Sequence, residues 1–301
     1  MIMMPNEALL KPASDKPKAL RALLKRGKAI PVPGAFNAIT AKIIEDLGFE
    51  AVYVSGAGIA NGVAGYPDIG LMTADEMARQ AGYIARAVNL PAIADADNGY
   101  GEAINVFRTV QQYEREGLSG LHLEDQLMPK RCGHLSGKSI ISSAAMCEKI
   151  AAAAEARQNP DFLIIARTDS KAVHGFDDAV ARAHAYLKAG ANMIFPEALE
   201  TPAEFEEFAR QVHAPLLANM TEFGRTPYLP LQDFERFGYN IVIYPMTAFR
   251  VMMKSVADAL KALKETGTQQ GILTQMTTRE ELYRIIHYQA YETLDQTLAY
   301  Q

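Results

Sequence analysis

The chain has 301 residues, 49% of them hydrophobic, a formal net charge of −5 and two cysteines. Such a sequence supplies a large core, which excludes global disorder, and its negative balance disfavours nucleic acid, a partner held mainly by clustered Lys and Arg. No run of 18 apolar residues is present to span a membrane, and two cysteines make no disulfide framework, so a reducing, cytoplasmic setting is expected.

The first 28 residues carry seven Lys/Arg against two Asp/Glu. They lack a secretory pattern, and acidic residues interrupt any transit-peptide pattern, so Lys16 to Arg26 reads as a solvated first helix. Short apolar runs follow at 30–34, 51–55, 92–95, 120–124, 162–167, 193–197, 215–219 and 241–245. Nearly all are too apolar for a half-solvated sheet and suit parallel strands covered on both faces. Helices are predicted between them over 73–89, 102–116, 142–158, 176–189 and 202–212. Thr73 with Glu76, Ser142, and Thr201 before Pro202 are good N-caps. Gly48, Gly117, Gly190 and Gly238 stand where left-handed helix ends belong. The repeated strand–helix unit predicts a (β/α)8 TIM-type barrel, a single domain over 1–301. An open doubly wound sheet fits less well, because no G-x-G-x-x-G follows the first strand. After a polar break at 264–271, residues 278–297 read as a C-terminal helical arm outside the eight units.

In such a barrel the active site lies at the C-terminal ends of the strands. Polar residues collect there: Ser55, Asp95, Asp97, Glu124, Arg167, Asp169, Glu197, Asn219, Thr221 and Arg250. Strand periodicity puts Asp95 and Asp97 on one face, His122 with Glu124, and Tyr53 with Ser55. Two carboxylates pointing together repel, and a divalent cation removes that cost. The donors are oxygens, so Mg2+ is favoured over Zn2+, with Mn2+ as a substitute. Lys130, Arg131, Cys132, Gly133 and His134 form a loop in which two cations and a histidine flank a thiol, the setting in which a cysteine ionises and moves protons. Gly133 and Gly137 allow that loop to close over a ligand. Cys147, in an alanine-rich stretch, reads as a small core residue.

The motifs Tyr53–Ala57, Asp95–Asp97, Gly120–Asp125, Lys130–His134, Ile165–Asp169, Phe195–Glu197 and Asn219–Gly224 resemble those of the isocitrate lyase/phosphoenolpyruvate mutase superfamily. The likeness runs from about residue 20 to 297, and the cysteine-bearing loop is specific to the lyase branch. The resemblance implies a Mg2+-dependent carbon–carbon lyase acting on a small tricarboxylate: cleavage of 2-methylisocitrate to pyruvate and succinate in propionate breakdown. It implies a C-terminal helix exchanged between subunits, commonly in a homotetramer. It also implies roles: Asp95 and Asp97 for the metal, with Glu124 and Asp68 in its shell, and Ser55, Gly56 and Ala57 at the oxo-acid end. Arg167, Glu197, Asn219, Met220, Thr221, Arg250 and Arg279 would bind substrate, and Cys132, Gly133 and His134 would contact the succinate half. Ala57 departs from the glycine expected at that position and trims the pocket.

The chemistry fits these parts independently. The substrate hydroxyl must lose a proton, and the other product leaves as a carbanion delocalised into a carboxylate. Arg167, Lys130 and Arg131 suit that charge, Cys132 suits the general acid, and Tyr53 is a candidate base beside a metal-bound hydroxide. Isocitrate lyase and an oxaloacetate hydrolase or decarboxylase of the same superfamily remain alternatives, since one methyl group is worth only ~1–3 kcal/mol of discrimination. A silent dicarboxylate-binding barrel fits the retained Asp95, Asp97, Glu124 and Cys132 less well.

Overall fold

The structure, a computed structural model, describes residues 15–131, 133 and 137–299. They fall into two compact units, 15–248 and 249–299. The first opens with α1 (Lys16–Leu24), capped by Asp15. It continues through eight parallel strands: β1 (Ile30–Ala35), β2 (Val52–Val54), β3 (Ala92–Asp95), β4 (Gly120–Glu124), β5 (Leu163–Thr168), β6 (Met193–Pro196), β7 (Leu217–Asn219) and β8 (Ile241–Tyr244). The sheet order is β6-β5-β4-β3-β2-β1-β8-β7, and a parallel bridge between Ile194 and Leu216 joins the two outer strands. The expected (β/α)8 barrel is therefore present.

Helices cover the strands: α2 (Ala38–Asp46), the short α3 (Gly56–Ile59), α4 (Ala74–Ala87), α5 (Ala103–Arg115), α6 (Ser143–Ala156), α7 (Phe176–Lys188), α8 (Pro202–Gln211) and α9 (Leu231–Phe237). The expected caps are made. Thr73 and Glu76 form a reciprocal capping box, and Ser142 and Thr201 cap α6 and α8.

Alternation along the strands sorts their side chains into two cores. Even-numbered Val52, Val54, Ile164, Ala166 and Ile194 pack outward against the helices. Odd-numbered Tyr53, Ile93, Leu163, Ile165, Met193, Phe195, Leu217, Ile241 and Ile243 fill the barrel interior, and Leu20 and Leu23 of α1 join them. Lys16 and Arg21 bind carbonyls at positions 85, 88 and 161, just ahead of β3 and β5, so α1 closes the N-terminal mouth. Continuing the interior set upward, on even positions in β4 where Leu121 and Leu123 face the helices, brings Ser55, Asp95, Glu124, Arg167, Glu197 and Asn219 to the opposite, C-terminal mouth.

Helix α10 (Thr247–Thr266) spans the boundary between the units, and the second unit adds α11 (Arg279–Ile285) and α12 (Tyr288–Ala299). The helix expected over 278–297 is thus two, parted at His287 with φ 57° and joined by stacking of Tyr283 on Tyr288 at 4.3 Å. Among the described residues no helix is long and apolar enough to cross a membrane.

Candidate active site

One pocket occupies the C-terminal mouth. β2 supplies Tyr53, and Ser55 follows as the cap of α3, with Gly58 N–H donating to Ser55 Oγ at 3.1 Å. Ala57 lines the same wall. Gly56 is required here: a Cβ would stand 2.6 Å from Asp95 Oδ2. β3 ends on Asp95. Asp97 lies beyond the strand with φ 47°, and its N–H donates to Asp95 Oδ1 at 3.0 Å. The two carboxylates therefore meet through a turn, not through strand alternation, and Asp97 also lines a neighbouring cavity.

Lys130 enters this acidic corner. Its Nζ pairs with Asp68 Oδ1 at 2.6 Å and with Asp97. Burial alone would lower the Lys130 pKa, but the Asp97, Asp95 and Asp68 carboxylates outweigh it and hold the ammonium well above its ordinary value. Burial raises Asp97 to about 6, with Lys130 pulling the other way. Glu124, at the end of β4, is pushed well above the carboxylate range by burial despite Arg167.

Across the pocket, Arg167 is the hub. It forks onto Asp169 through Nε at 2.9 Å and Nη2 at 3.2 Å, and its other contacts reach Glu124 at 3.3 Å and Glu197 at 3.4 Å. Its guanidinium lies 5.2 Å from the Phe195 ring centroid. Asn219 Nδ2 donates to Glu197 Oε2 at 3.2 Å, and Thr221 completes that wall.

Of the remaining expected residues, Gly133 lies on the pocket, where a Cβ would meet Glu197 Cγ at 2.4 Å and Arg167 Nη2 at 2.5 Å. Met220 packs in the layer between strands and helices. Arg250 lies on α10 and Arg279 on α11, both in the second unit. Cys132 and His134 lie outside the described residues.

His122 was named for its face only, and the structure makes it central. It is fully buried, shares a 2.8 Å hydrogen bond between Nε2 and Tyr53 Oη, and stacks on Tyr53 at 5.8 Å. Burial, then the Arg167 and Lys130 charges, push it down to about 3, so the imidazole is neutral. Burial and Asp95 push Tyr53 well above the phenol range, so it keeps its proton. The signal for His122 was its two-residue spacing from Glu124. Phe195, also in the pocket, opens one of the motifs, whereas Met246, just past the last apolar run, gave no signal.

A divalent cation fits the donor set. Glu124 Oε1 is buried without a hydrogen-bond partner, Asp95 lines the same pocket, and Asp97, held by Lys130, adds a further carboxylate at its edge. Among the described residues no three His, Cys, Asp or Glu side chains converge as a metal cluster. An ion here would take few protein ligands and keep water on the rest, which is the habit of Mg2+.

A barrel with a polar mouth of this kind, carboxylates on one wall and an arginine hub on the other, defines an enzyme site for small anionic substrates. The chain belongs to the phosphoenolpyruvate phosphomutase family, which it matches over residues 20–264. It is 51% identical over 276 residues to 2-methylisocitrate lyase of Aeropyrum pernix, spanning 92% of this chain and 89% of that protein. The crystal structure of 2,3-dimethylmalate lyase matches with a TM-score of 0.89 at 34% identity, covering 95% of this chain and 96% of that one. Phosphonopyruvate hydrolase in complex with oxalate and Mg2+ matches with a TM-score of 0.84 at 29% identity, covering 93% and 98%. The superfamily resemblance of the motifs is borne out, and relatives at this level of identity make the chain a lyase.

Proposed function

We propose that this chain cleaves 2-methylisocitrate to pyruvate and succinate with the help of Mg2+. The observation that carries the reading is the division of one barrel mouth. Asp68, Asp95 and Asp97 gather with Lys130 on one side, and Arg167, paired with Glu124 and Glu197, stands on the other with Asn219 and Thr221. A tricarboxylate that must bind a cation at one end and cations of the protein at the other needs such a division. The name of the Aeropyrum pernix relative supports the substrate, and the Mg2+ in the phosphonopyruvate hydrolase complex supports the ion.

Mg2+, when bound, supplies the Lewis acidity that eases loss of the substrate hydroxyl proton. Asp95 and Asp97 would hold it, with Glu124 and Asp68 behind its water. The protein does the rest. Arg167, fixed by Asp169, binds a carboxylate as a planar fork and stabilises the charge that develops when the carbon–carbon bond opens. Asn219 Oδ1, buried without a hydrogen-bond partner, is an acceptor for a substrate hydroxyl. Tyr53 keeps its proton, shares a hydrogen bond with His122 Nε2 and presents its hydroxyl to the substrate hydroxyl. Cys132 gives its thiol proton to the carbanion, completing succinate, and the proton lost by the hydroxyl restores the thiol. Ser55, Gly56 and Ala57 bound the pyruvate end. His134, Arg250 and Arg279 enter this proposal through the family resemblance alone, and Met220, packed between strands and helices, does not.

We further propose a homotetramer in a reducing cytoplasm. On α10, Met253, Val256, Leu260 and Leu263 recur at three- and four-residue spacing and are all at least 40% exposed. An apolar stripe of that size calls for a partner surface, and a second copy of this chain, with an exchanged C-terminal helix, provides one.

The deciding experiment compares pyruvate release from 2-methylisocitrate with glyoxylate release from isocitrate, each with Mg2+ and with EDTA. Metal-dependent pyruvate release at least about tenfold faster than glyoxylate release is expected. The reverse preference would make it an isocitrate lyase, and silence on both would favour an oxaloacetate-type reaction. Cys132→Ser is expected to lower kcat by roughly 10²–10⁴ while Mg2+ binding stays intact. Unchanged turnover would remove the thiol from the mechanism.

A further inference from the structure

Position 132 is flanked by Arg131 and Gly133, and a buried side chain ties down the backbone of each. Gln126, 1% exposed, folds back on its own loop. Its Nε2 donates to the Arg131 carbonyl at 2.8 Å, and Arg131 N–H donates to its Oε1 at 2.9 Å. Both ends of the amide are used, which fixes its orientation. On the other side, Lys138 Nζ donates to the Gly133 carbonyl and pairs with Asp169 Oδ1 at 2.6 Å.

Asp169 is also the carboxylate that forks onto Arg167. It is held from behind, since its N–H donates to Asp125 Oδ1 at 2.9 Å. Asp125 in turn accepts from Thr168, Tyr186 and Arg182. One rigid network therefore sets both the arginine of the pocket and the backbone beside position 132. Gly133 lies against Arg167 and Glu197 so closely that no Cβ fits.

We propose that Gln126 and Lys138 are positioning residues that hold the backbone on the two sides of position 132 in register with Arg167. The inference rests on the lyase reading, in which the thiol at 132 and the guanidinium of 167 act on the same carbanion. A buried ion pair such as Lys138 with Asp169 roughly breaks even on stability, because desolvation consumes its Coulomb energy. Placement is a different matter: an error of about 1 Å in a reacting group can cost about 10²-fold in rate.

The test uses Lys138→Met, which keeps length and removes the charge, Lys138→Arg, which keeps the charge, and Gln126→Leu, which removes both amide bonds. Turnover of 2-methylisocitrate, thermal midpoint and amide exchange of the 126–138 peptide are measured on the full chain. Lys138→Met and Gln126→Leu are expected to lower kcat by roughly 10- to 100-fold with KM within about threefold. Exchange in 126–138 should speed up while β4, β5 and β6 stay protected, and Lys138→Arg should recover most of kcat. Wild-type kcat in both Lys138→Met and Gln126→Leu, or unchanged exchange in their loops, overturns the inference. If Lys138→Met does not fold, Gln126→Leu decides alone. If the wild type releases no pyruvate, the functional reading fails, and the exchange arm still judges the clamp.

Discussion

At the scale of single residues, the site is built from groups that leave each other no slack. Gly56 is the sharpest case, because a methyl there would meet Asp95 Oδ2 at 2.6 Å and Cγ at 2.8 Å. Gly56→Ala is therefore expected to displace Asp95, weaken Mg2+ binding and lower kcat by roughly 10- to 100-fold with little change in melting temperature. Titration of metal-dependent activity checks this, and a wild-type Mg2+ dependence would count against it. Asp95, Glu124, Arg167 and Glu197 were legible in the sequence because each ends an apolar run and continues its inward-facing set. Asp97 was found for an incomplete reason: the strand stops at Asp95, and a left-handed residue makes the turn. His122 and Lys138 were passed over as site residues. A histidine two residues before a carboxylate, and a lysine in a basic loop, look the same whether they are solvated or buried. Only the fold shows that each is buried against a pocket group.

At the scale of elements, the boundaries followed local chemistry wherever that chemistry was strong. The capping box at Thr73, the serine before α6 and the Thr201–Pro202 start each mark the helix they were expected to mark. The short α3 and the π turn at Ala60–Ala64 were not read, because glycine and alanine there carry no periodicity. The break at His287 was also missed, since no glycine or proline announces it. Helix α1 was expected to be a solvated helix, yet its Leu20 is fully buried in the barrel interior. Leu20→Ala is expected to cost about 2–5 kcal/mol, because the barrel interior it packs into cannot readily collapse around the cavity. Urea unfolding reads this directly, and a loss below about 1 kcal/mol would mean that α1 does not plug the barrel.

At the scale of the whole molecule, buried phenols set an alkaline limit. Burial raises the pKa of Tyr53, Tyr100, Tyr113, Tyr186 and Tyr239 in the folded chain. A raised folded pKa contributes stability that is fully present below the unfolded value, near 10, and is lost as pH rises toward the folded value. Urea midpoints are expected to hold between pH 8 and about 9.5 and to fall above about 10. Tyr239 isolates the effect, because its hydroxyl is buried without a hydrogen-bond partner. Tyr239→Phe should be neutral or stabilising by up to ~1 kcal/mol at neutral pH and should blunt the alkaline decline. An unchanged alkaline slope in that variant would assign the decline to the other phenols.

The barrel itself is a hoop of eight staves with seven full joints. The eighth, between β6 and β7, is fastened by the Ile194–Leu216 bridge and, at the rim, by Asn219 reaching Glu197. Those two rim groups are also walls of the pocket. A guest that bound both groups would brace the hoop at that joint.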